Sequence, residues 1–415
     1  MKIQKTDTVI IGGGAAGLFA AGILAKGGVK TVILEPNKLL GKKLRITGKG
    51  RCNLTNNCDT GQFLENVPIN GKFLMSCLNG FSPADAMAHF ESLGLSLKTE
   101  RGNRVFPESD SAHDAAKALE SFAMKNGAQW LRARALSIKT DETSSAVCAV
   151  ITEAGEISCS RVLLCTGGMG YAGTGSTGEG YEMAGALGHT ITKPSPSLVP
   201  LVSDDAFCAE MQGFSLKNVR LSLWNEKGRL VYEELGEMLF THFGISGPLV
   251  LSASCHMTGR DMSAYRLSID LKPALSEKQL DERILRDFAK YSNREFKNAL
   301  SDLAASSMIP VLVNLSGIPE DLKVNSKTKQ QRQALVSLFK NFPIHIKEKR
   351  PIDEAIITSG GVSIKEINPK TMESKLASGL YFAGEVIDVN AYTGGFNLQI
   401  AWSTAYAAAK AMLLS

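Results

Sequence analysis

Thr8 to Ile11 is a short apolar, β-branched run, Leu18 to Ala25 is rich in Ala and Leu, and Val29 to Leu34 is a second apolar run. With a glycine turn between the first two, this order predicts strand, turn, helix and a second, parallel strand. Apolar spacing suits helices over Phe73 to Leu93 and over Asp110 to Asn126, the latter with Asp110 and Asp114 near its N-terminus. Lys98 to Phe106 reads as a strand and turn, and Trp130 to Ile138 alternates as a strand. Ala146 to Thr152 and Ile157 to Ser160 predict a hairpin meander. Arg161 to Thr166 then forms a short strand running into Gly167 and Gly168. The next 21 residues, MGYAGTGSTGEGYEMAGALGH, hold seven glycines, with a helix expected from about Gly180 to Leu187.

Near Pro194 the character changes. PSPSLVPL leads into short strands at Val199 to Val202, Val219 to Trp224, Arg229 to Tyr232 and Arg266 to Leu271, with the loop FTHFGISGP, Phe240 to Pro248, between them. From Ser276 to about Phe342 the spacing turns helical. Ala355 to Thr358 and Leu380 to Ala383 read as strands again, and YTGGFNLQIAWSTAYAAAKAM as a glycine turn and an Ala-rich helix. The expected organisation is an α/β domain from residues 1–192 and 355–415, interrupted by a β-rich insert, 193–354, that carries a helical part over about 276–342. A chain of 415 residues is long enough for two or more cores.

Composition adds exclusions. No apolar run nears the roughly 18 residues that would suggest a membrane span. The N-terminus starts directly on a strand, so the chain reads as cytoplasmic. A formal charge of +5 from 46 basic and 41 acidic residues does not imply nucleic-acid binding. The eight cysteines form no CxxC pair and no metal-ligand spacing. Cys52 and Cys58 are separated by the polar NLTNN, which disfavours a redox dithiol; most thiols should be small buried hydrophobes.

The chemistry is concentrated in the glycine turns. Gly12, Gly14 and Gly17 make GxGxxG between a strand and a helix, with Ala15 and Ala16 inside the turn. In a dinucleotide fold these glycines allow the tight turn, the approach of a pyrophosphate and close helix–strand packing. Unpaired amides at the helix N-terminus then hold the phosphates. Glu35, 23 positions after Gly12, can accept hydrogen bonds from a ribose, which favours FAD or NAD over NADP. The loop PNKLLGKKLRITGKGRCNLTNN follows, and its Lys42, Lys43 and Arg51, with Gly48 and Gly50, suit the pyrophosphate and flavin end of FAD. Thr166 and Gly167 end the return strand that would complete a two-dinucleotide-type FAD domain. The helix N-terminus near Gly395 to Asn397 is a second place where amides could meet a ligand, and beside an isoalloxazine it would favour the anionic reduced flavin.

GGGAAG, ITGKGRCNLTN, TGGMGYAGTGSTGEGY, THFGISGP, TSGGV, TMESK and LYFAGEVIDVNAYTGGFNLQIAWSTAYAAAKA together resemble the BaiN/YhiN-type bacterial NAD(P)/FAD-dependent oxidoreductases, from end to end and in the same order. The resemblance implies a glutathione-reductase-like FAD domain built from both chain ends, with an inserted β-barrel and helical subdomain. It implies contacts to the adenine half from Ala16, Glu35 and the backbone of Ala135, and to the middle from Lys43 and the loop of Arg51, Cys52 and Asn53. At the flavin end it implies Gly384, Glu385, Asp388, Gly395, Phe396 and Asn397. TSGGV and GGFN also resemble fumarate-reductase-type flavoproteins, but Ile357 stands where those carry a histidine, so their dicarboxylate site is not expected.

By resemblance the activity is reduction of a conjugated double bond in a small apolar substrate such as a steroid ring. An enone takes a hydride at the β-carbon and a proton at the α-carbon, and His242 is the leading proton donor, with Arg51 and Tyr392 as weaker alternatives. A structural role for His242 in shaping its loop is an equal alternative. Two further readings stay open: an amine or aminoketone oxidase using oxygen, and a flavin-binding protein without turnover. With a single GxGxxG, electrons would come from transient NADH or NADPH or from a protein donor. No nucleic-acid or membrane partner is expected.

Overall fold

The computed structural model describes residues 4–258 and 261–415. The chain forms two compact units, one ending at Ser197 and resuming at Pro351, the other Leu198–Arg350.

The first unit is organised on five parallel strands in the order Leu380–Phe382, Arg161–Leu164, Thr8–Ile11, Thr31–Leu34, Gln129–Leu131. Ile10 lies between Leu163 and Ile33. All residues of the two N-terminal strands are buried, as in parallel sheets covered on both faces. The helix Ala15–Lys26 returns the chain between them and packs against Ala112–Lys125 and Phe396–Leu414. The indole of Trp402, fully buried on the last helix, donates to the Leu54 carbonyl at 2.9 Å, so its polar edge is satisfied inside the core.

The structure departs from the sequence reading at specific places. Trp130 to Ile138 is two strands. Gln129–Leu131 belongs to the parallel sheet, and Ala135–Thr140 joins Val147–Thr152 and Gly155–Ser158 in an antiparallel meander. The apolar alternation runs on while the pairing partner changes. The expected Phe73–Leu93 helix breaks at Phe81, because Pro83 lacks an N–H and Ser82 with Asp85 forms a capping box that starts Pro83–Ser92. The strand near residue 355 is Ile357–Val362, and it pairs antiparallel with Ile191–Ser197, outside the parallel sheet.

The second unit holds a closed six-stranded barrel: Leu201–Ser203, Gly244–Ser246, Leu230–Thr241, Ser215–Trp224, Arg266–Asp270 and Phe342–Lys349, closing where Leu201 pairs with Lys349. Leu221, Leu223, Leu267, Ile269, Ile344 and Ile346 are buried at alternate positions. Phe342–Lys349 lies beyond the last strand that the spacing suggested within the insert, yet it closes the barrel. The helices Glu277–Lys290, Phe296–Ala299, Ile309–Ser316 and Lys329–Lys340 interrupt the last two strands, and capping boxes at Ser276 and Thr328 start the two longest. Among the described residues no helix is long and apolar enough to cross a membrane.

Candidate functional site

The three glycines of the first turn do different work. At Gly12 (φ 109°) a Cβ would lie 2.5 Å from the Cys165 carbonyl oxygen, and at Gly17 it would lie 2.0 Å from the Gly12 oxygen. These two are glycine because the protein's own backbone fills the space. Gly14 is different: its φ of −83° is ordinary, and a Cβ there would meet no protein atom within 4 Å. The helix behind it starts without a side-chain cap, so its N-terminal amides and positive dipole end are free to meet an anion.

Glu35 stands beside this turn. Its Oε2 accepts the Gly13 N–H at 3.0 Å, and its Oε1 accepts the Asn37 N–H at 2.9 Å and Asn37 Nδ2 at 2.8 Å. Those bonds fix a carboxylate at the end of the second strand while leaving it lone pairs for hydroxyl donors.

A second group assembles from distant segments. Lys43 pairs with Glu385 at 2.9 Å; Glu385 Oε1 also accepts the Thr358 N–H at 2.9 Å, and the Thr358 hydroxyl accepts the N–H groups of Met169 and Gly170 at 2.7 and 3.2 Å. Gly384, at φ 74°, donates its N–H to the buried Thr404 hydroxyl. Asn70 Nδ2 donates to the Asp388 carbonyl. Gly395 caps Phe396–Leu414 without a side-chain bond, and Asn397 ties the turn before it, donating to the carbonyls of Ala391 and Tyr392 and accepting from the Ala391 N–H. The Phe396 ring lies edge-on to Phe63.

The chain matches the HI0933-like protein Rossmann domain family over residues 6–411. It belongs to that family. The chain is 31% identical over 411 residues to a protein named 3-dehydro-bile acid delta(4,6)-reductase from Clostridium scindens, covering 97% of this chain and 98% of the relative. It is 29% identical over 415 residues to a protein named ribosomal RNA dihydrouridine synthase from Escherichia coli, covering 99% of each. A protein of the same name from Haemophilus influenzae is 32% identical over 417 residues, with 98% of each covered. Among solved structures, a 3-ketosteroid-delta4-(5alpha)-dehydrogenase from Rhodococcus jostii aligns with TM-score 0.55 at 14% identity over 99% of this chain and 97% of that one. A flavocytochrome c3 fumarate reductase aligns with TM-score 0.53 at 15% identity over 99% and 78%. At these identities the structural matches speak for the fold. This chain is a FAD-dependent oxidoreductase.

Its residues fit that cofactor. Besides the open side of Gly14 and the anchored Glu35, three of the nine buried polar atoms without a hydrogen-bond partner among the described residues belong to these loops and the helix after them: Thr166 Oγ1, Asn53 Oδ1 and the Tyr181 hydroxyl. Buried polar groups without partners are rare, and a polar ligand would satisfy them. Thr166 and Asn53 follow from their motifs. Tyr181 does not; burial, with Glu385 and Asp388 nearby, pushes its phenol up, which keeps it a neutral hydrogen-bond donor. Its one trace in the sequence is an aromatic residue at the start of the helix after the second glycine loop.

Other candidate residues have contacts of their own within the protein. The Arg51 guanidinium binds Asp110 through Nε at 2.7 Å, binds Glu100, and lies 4.2 Å over the Phe106 ring. These carboxylates hold it firmly protonated, against a role as proton donor. Lys42 donates to the Gly173 carbonyl at 2.7 Å and to Asn37 at 3.3 Å. Ala135 is buried in the meander, paired with Thr152. Burial pushes the Cys52 thiol up to about 12 and that of Cys58 to about 11, so neither is a thiolate at neutral pH. Ala15 and Ala16 form the first turn of the helix Ala15–Lys26. A Cβ at Gly167 (φ 75°) would approach Ser176 Oγ at 3.1 Å. His242 belongs to the second unit, exposed, its ring edge-on to Phe243, beside the buried and unpartnered Thr241 hydroxyl. The backbone N–H of Tyr392 donates to the Asn66 carbonyl at 3.0 Å.

Proposed function

We propose that this protein reduces a carbon–carbon double bond conjugated to a carbonyl. The observation that carries this reading is that two differently named activities, in relatives matched along their whole length, come down to one transformation. A delta(4,6)-reductase acting on a 3-dehydro bile acid saturates ring double bonds in conjugation with a ketone. A dihydrouridine synthase saturates the one carbon–carbon double bond of uracil, conjugated to a ring carbonyl. Both need a hydride at the β-carbon and a proton at the α-carbon.

Bound FAD, once reduced, would supply the hydride. The chain's own residues bind, orient and move the proton. Gly14 and the helix amides would take the pyrophosphate and Glu35 the adenosine ribose. Lys43, paired with Glu385, would hold the middle and flavin end, with Asp388 and the Gly395 to Asn397 turn. His242 is the proposed proton donor, since a histidine can give a proton near neutral pH. NADH or NADPH binding transiently, or a protein donor, would provide electrons.

Two substrate classes satisfy this chemistry. Uridine in RNA is the first reading, because two of the relatives named above carry that activity in their names. A small apolar ring enone, the sequence expectation, is the second, favoured by the relative named for a bile acid. The test is to incubate reduced enzyme with unmodified ribosomal RNA and, separately, with a 3-keto steroid carrying a conjugated double bond, reading products by mass spectrometry. Gain of two hydrogens by one of them is expected; no change in either, with rapid oxygen consumption on an amine panel, would replace the reductase by an oxidase.

A further inference from the structure

We propose that Asn37, assisted by Lys42, sets how long the dinucleotide stays bound, by fastening the Ala172–Thr174 turn to the carboxylate that takes the ribose. The inference rests on the placement of FAD against Gly14 and Glu35, and it adds a residue that no motif singles out.

The second glycine loop is tied at both ends. At its start Thr358 accepts from Met169 and Gly170, and the Tyr171 N–H donates to the Asp353 carbonyl at 3.3 Å. At its end Arg134 pairs with Glu179. Between these ends the Ala172–Thr174 turn is flanked by left-handed residues, Tyr171 at φ 54° and Gly175 at φ 104°. Two side chains from just past the second strand reach its carbonyls: Lys42 Nζ to Gly173 at 2.7 Å and Asn37 Nδ2 to Thr174 at 3.2 Å.

Both ends of the Asn37 amide are engaged. Its nitrogen donates to Glu35 Oε1 at 2.8 Å as well as to Thr174, and its oxygen accepts from Lys42 at 3.3 Å. A carboxylate on one side and an ammonium on the other allow only this orientation of the amide. Since Glu35 Oε2 accepts the Gly13 N–H, one line of hydrogen bonds runs from the phosphate turn through the ribose carboxylate and Asn37 to the second loop. Gly175 belongs to the arrangement: a Cβ there would lie 2.6 Å from Asn37 Nδ2. Because the turn is fastened to the group that would hold the ribose, loosening one loosens the other. Asn37 is therefore a positioning residue for cofactor retention.

The test follows FAD release by free-flavin fluorescence after dilution of the holoprotein, for wild type, Asn37→Ala, Asn37→Asp and Lys42→Met, together with the thermal midpoint of each FAD-free protein. Both Asn37 variants are expected to release FAD about tenfold faster or more, from loss of hydrogen bonds to a charged group. Lys42→Met should show a smaller increase, and the FAD-free midpoints should match wild type. Wild-type release from both Asn37 variants overturns the proposal. So does faster release accompanied by a lowered FAD-free midpoint, which would make Asn37 a fold-stabilising residue. Gly14→Val separates the premise from the inference. If it retains FAD like wild type, the cofactor placement fails; if it loses FAD while the Asn37 variants behave as wild type, only the fastening fails.

Discussion

Gly12, Gly14 and Gly17 are indistinguishable as letters in a pattern, yet the fold itself requires two of them, while Gly14 faces open space where the pyrophosphate is proposed to sit. Gly17→Ala would force a Cβ onto the Gly12 oxygen and should destabilise the protein by about 1–3 kcal/mol or more, measured by denaturant unfolding of the FAD-free form. Gly14→Val should leave that stability within about 1 kcal/mol of wild type and yet purify with little or no flavin. Loss of fold stability in the Gly14 variant, or flavin retention by it, would reverse these assignments. Residue positions were legible where the local pattern sets them, as for Glu35 at the end of the second strand. They were not where partners lie far along the chain. Arg51 sits in a basic, glycine-rich loop that suggests phosphate contact, but Glu100 and Asp110, 49 and 59 residues later, claim its guanidinium. Lys42 likewise meets the carbonyl of Gly173, 131 residues on. Tyr181 and Asn37 carry no pattern of their own.

Elements were readable where periodicity and punctuation agree. The strand, glycine turn and helix at the N-terminus, the return strand into Gly167 and the last helix are set by local residues and stand as expected. Pairing was not local. The alternation through Trp130 to Ile138 gives no hint that the chain changes sheets after Leu131, and Phe342–Lys349 is a strand because the barrel needs a sixth. The helical layer of the second unit carries its own testable tension. Lys327 Nζ is buried without a hydrogen-bond partner, 3.3 Å from the Phe296 ring centre and 4.6 Å from that of Phe288, and burial lowers its pKa to about 7. The aromatic faces favour the charged form and offset part of that penalty. A lysine lowered in the folded state binds fewer protons there than in the unfolded chain, so stability rises with pH from about 7 toward the free value of about 10.4. Lys327→Met should therefore raise the thermal midpoint most below about pH 7, with the gain fading toward alkaline pH. A gain independent of pH would show that the ammonium is not the source of the penalty.

At the scale of the whole molecule, the unit made from both chain ends is interrupted in sequence by the unit that holds the barrel and helices, and the proposed proton donor, His242, belongs to the latter. His242→Ala, in the barrel unit, should keep its flavin while turnover falls by about 100-fold or more, as expected when a general acid is removed. Unchanged turnover would leave His242 a residue of its loop. The most direct test of the central claim is anaerobic: reduce the enzyme, mix it with uridine-containing ribosomal RNA or with a conjugated steroid enone, and follow the visible flavin absorption. Return of the oxidised spectrum in step with saturation of one double bond per flavin is predicted for at least one of the two. A reduced spectrum that persists with both, and returns within seconds when oxygen is admitted, would contradict it.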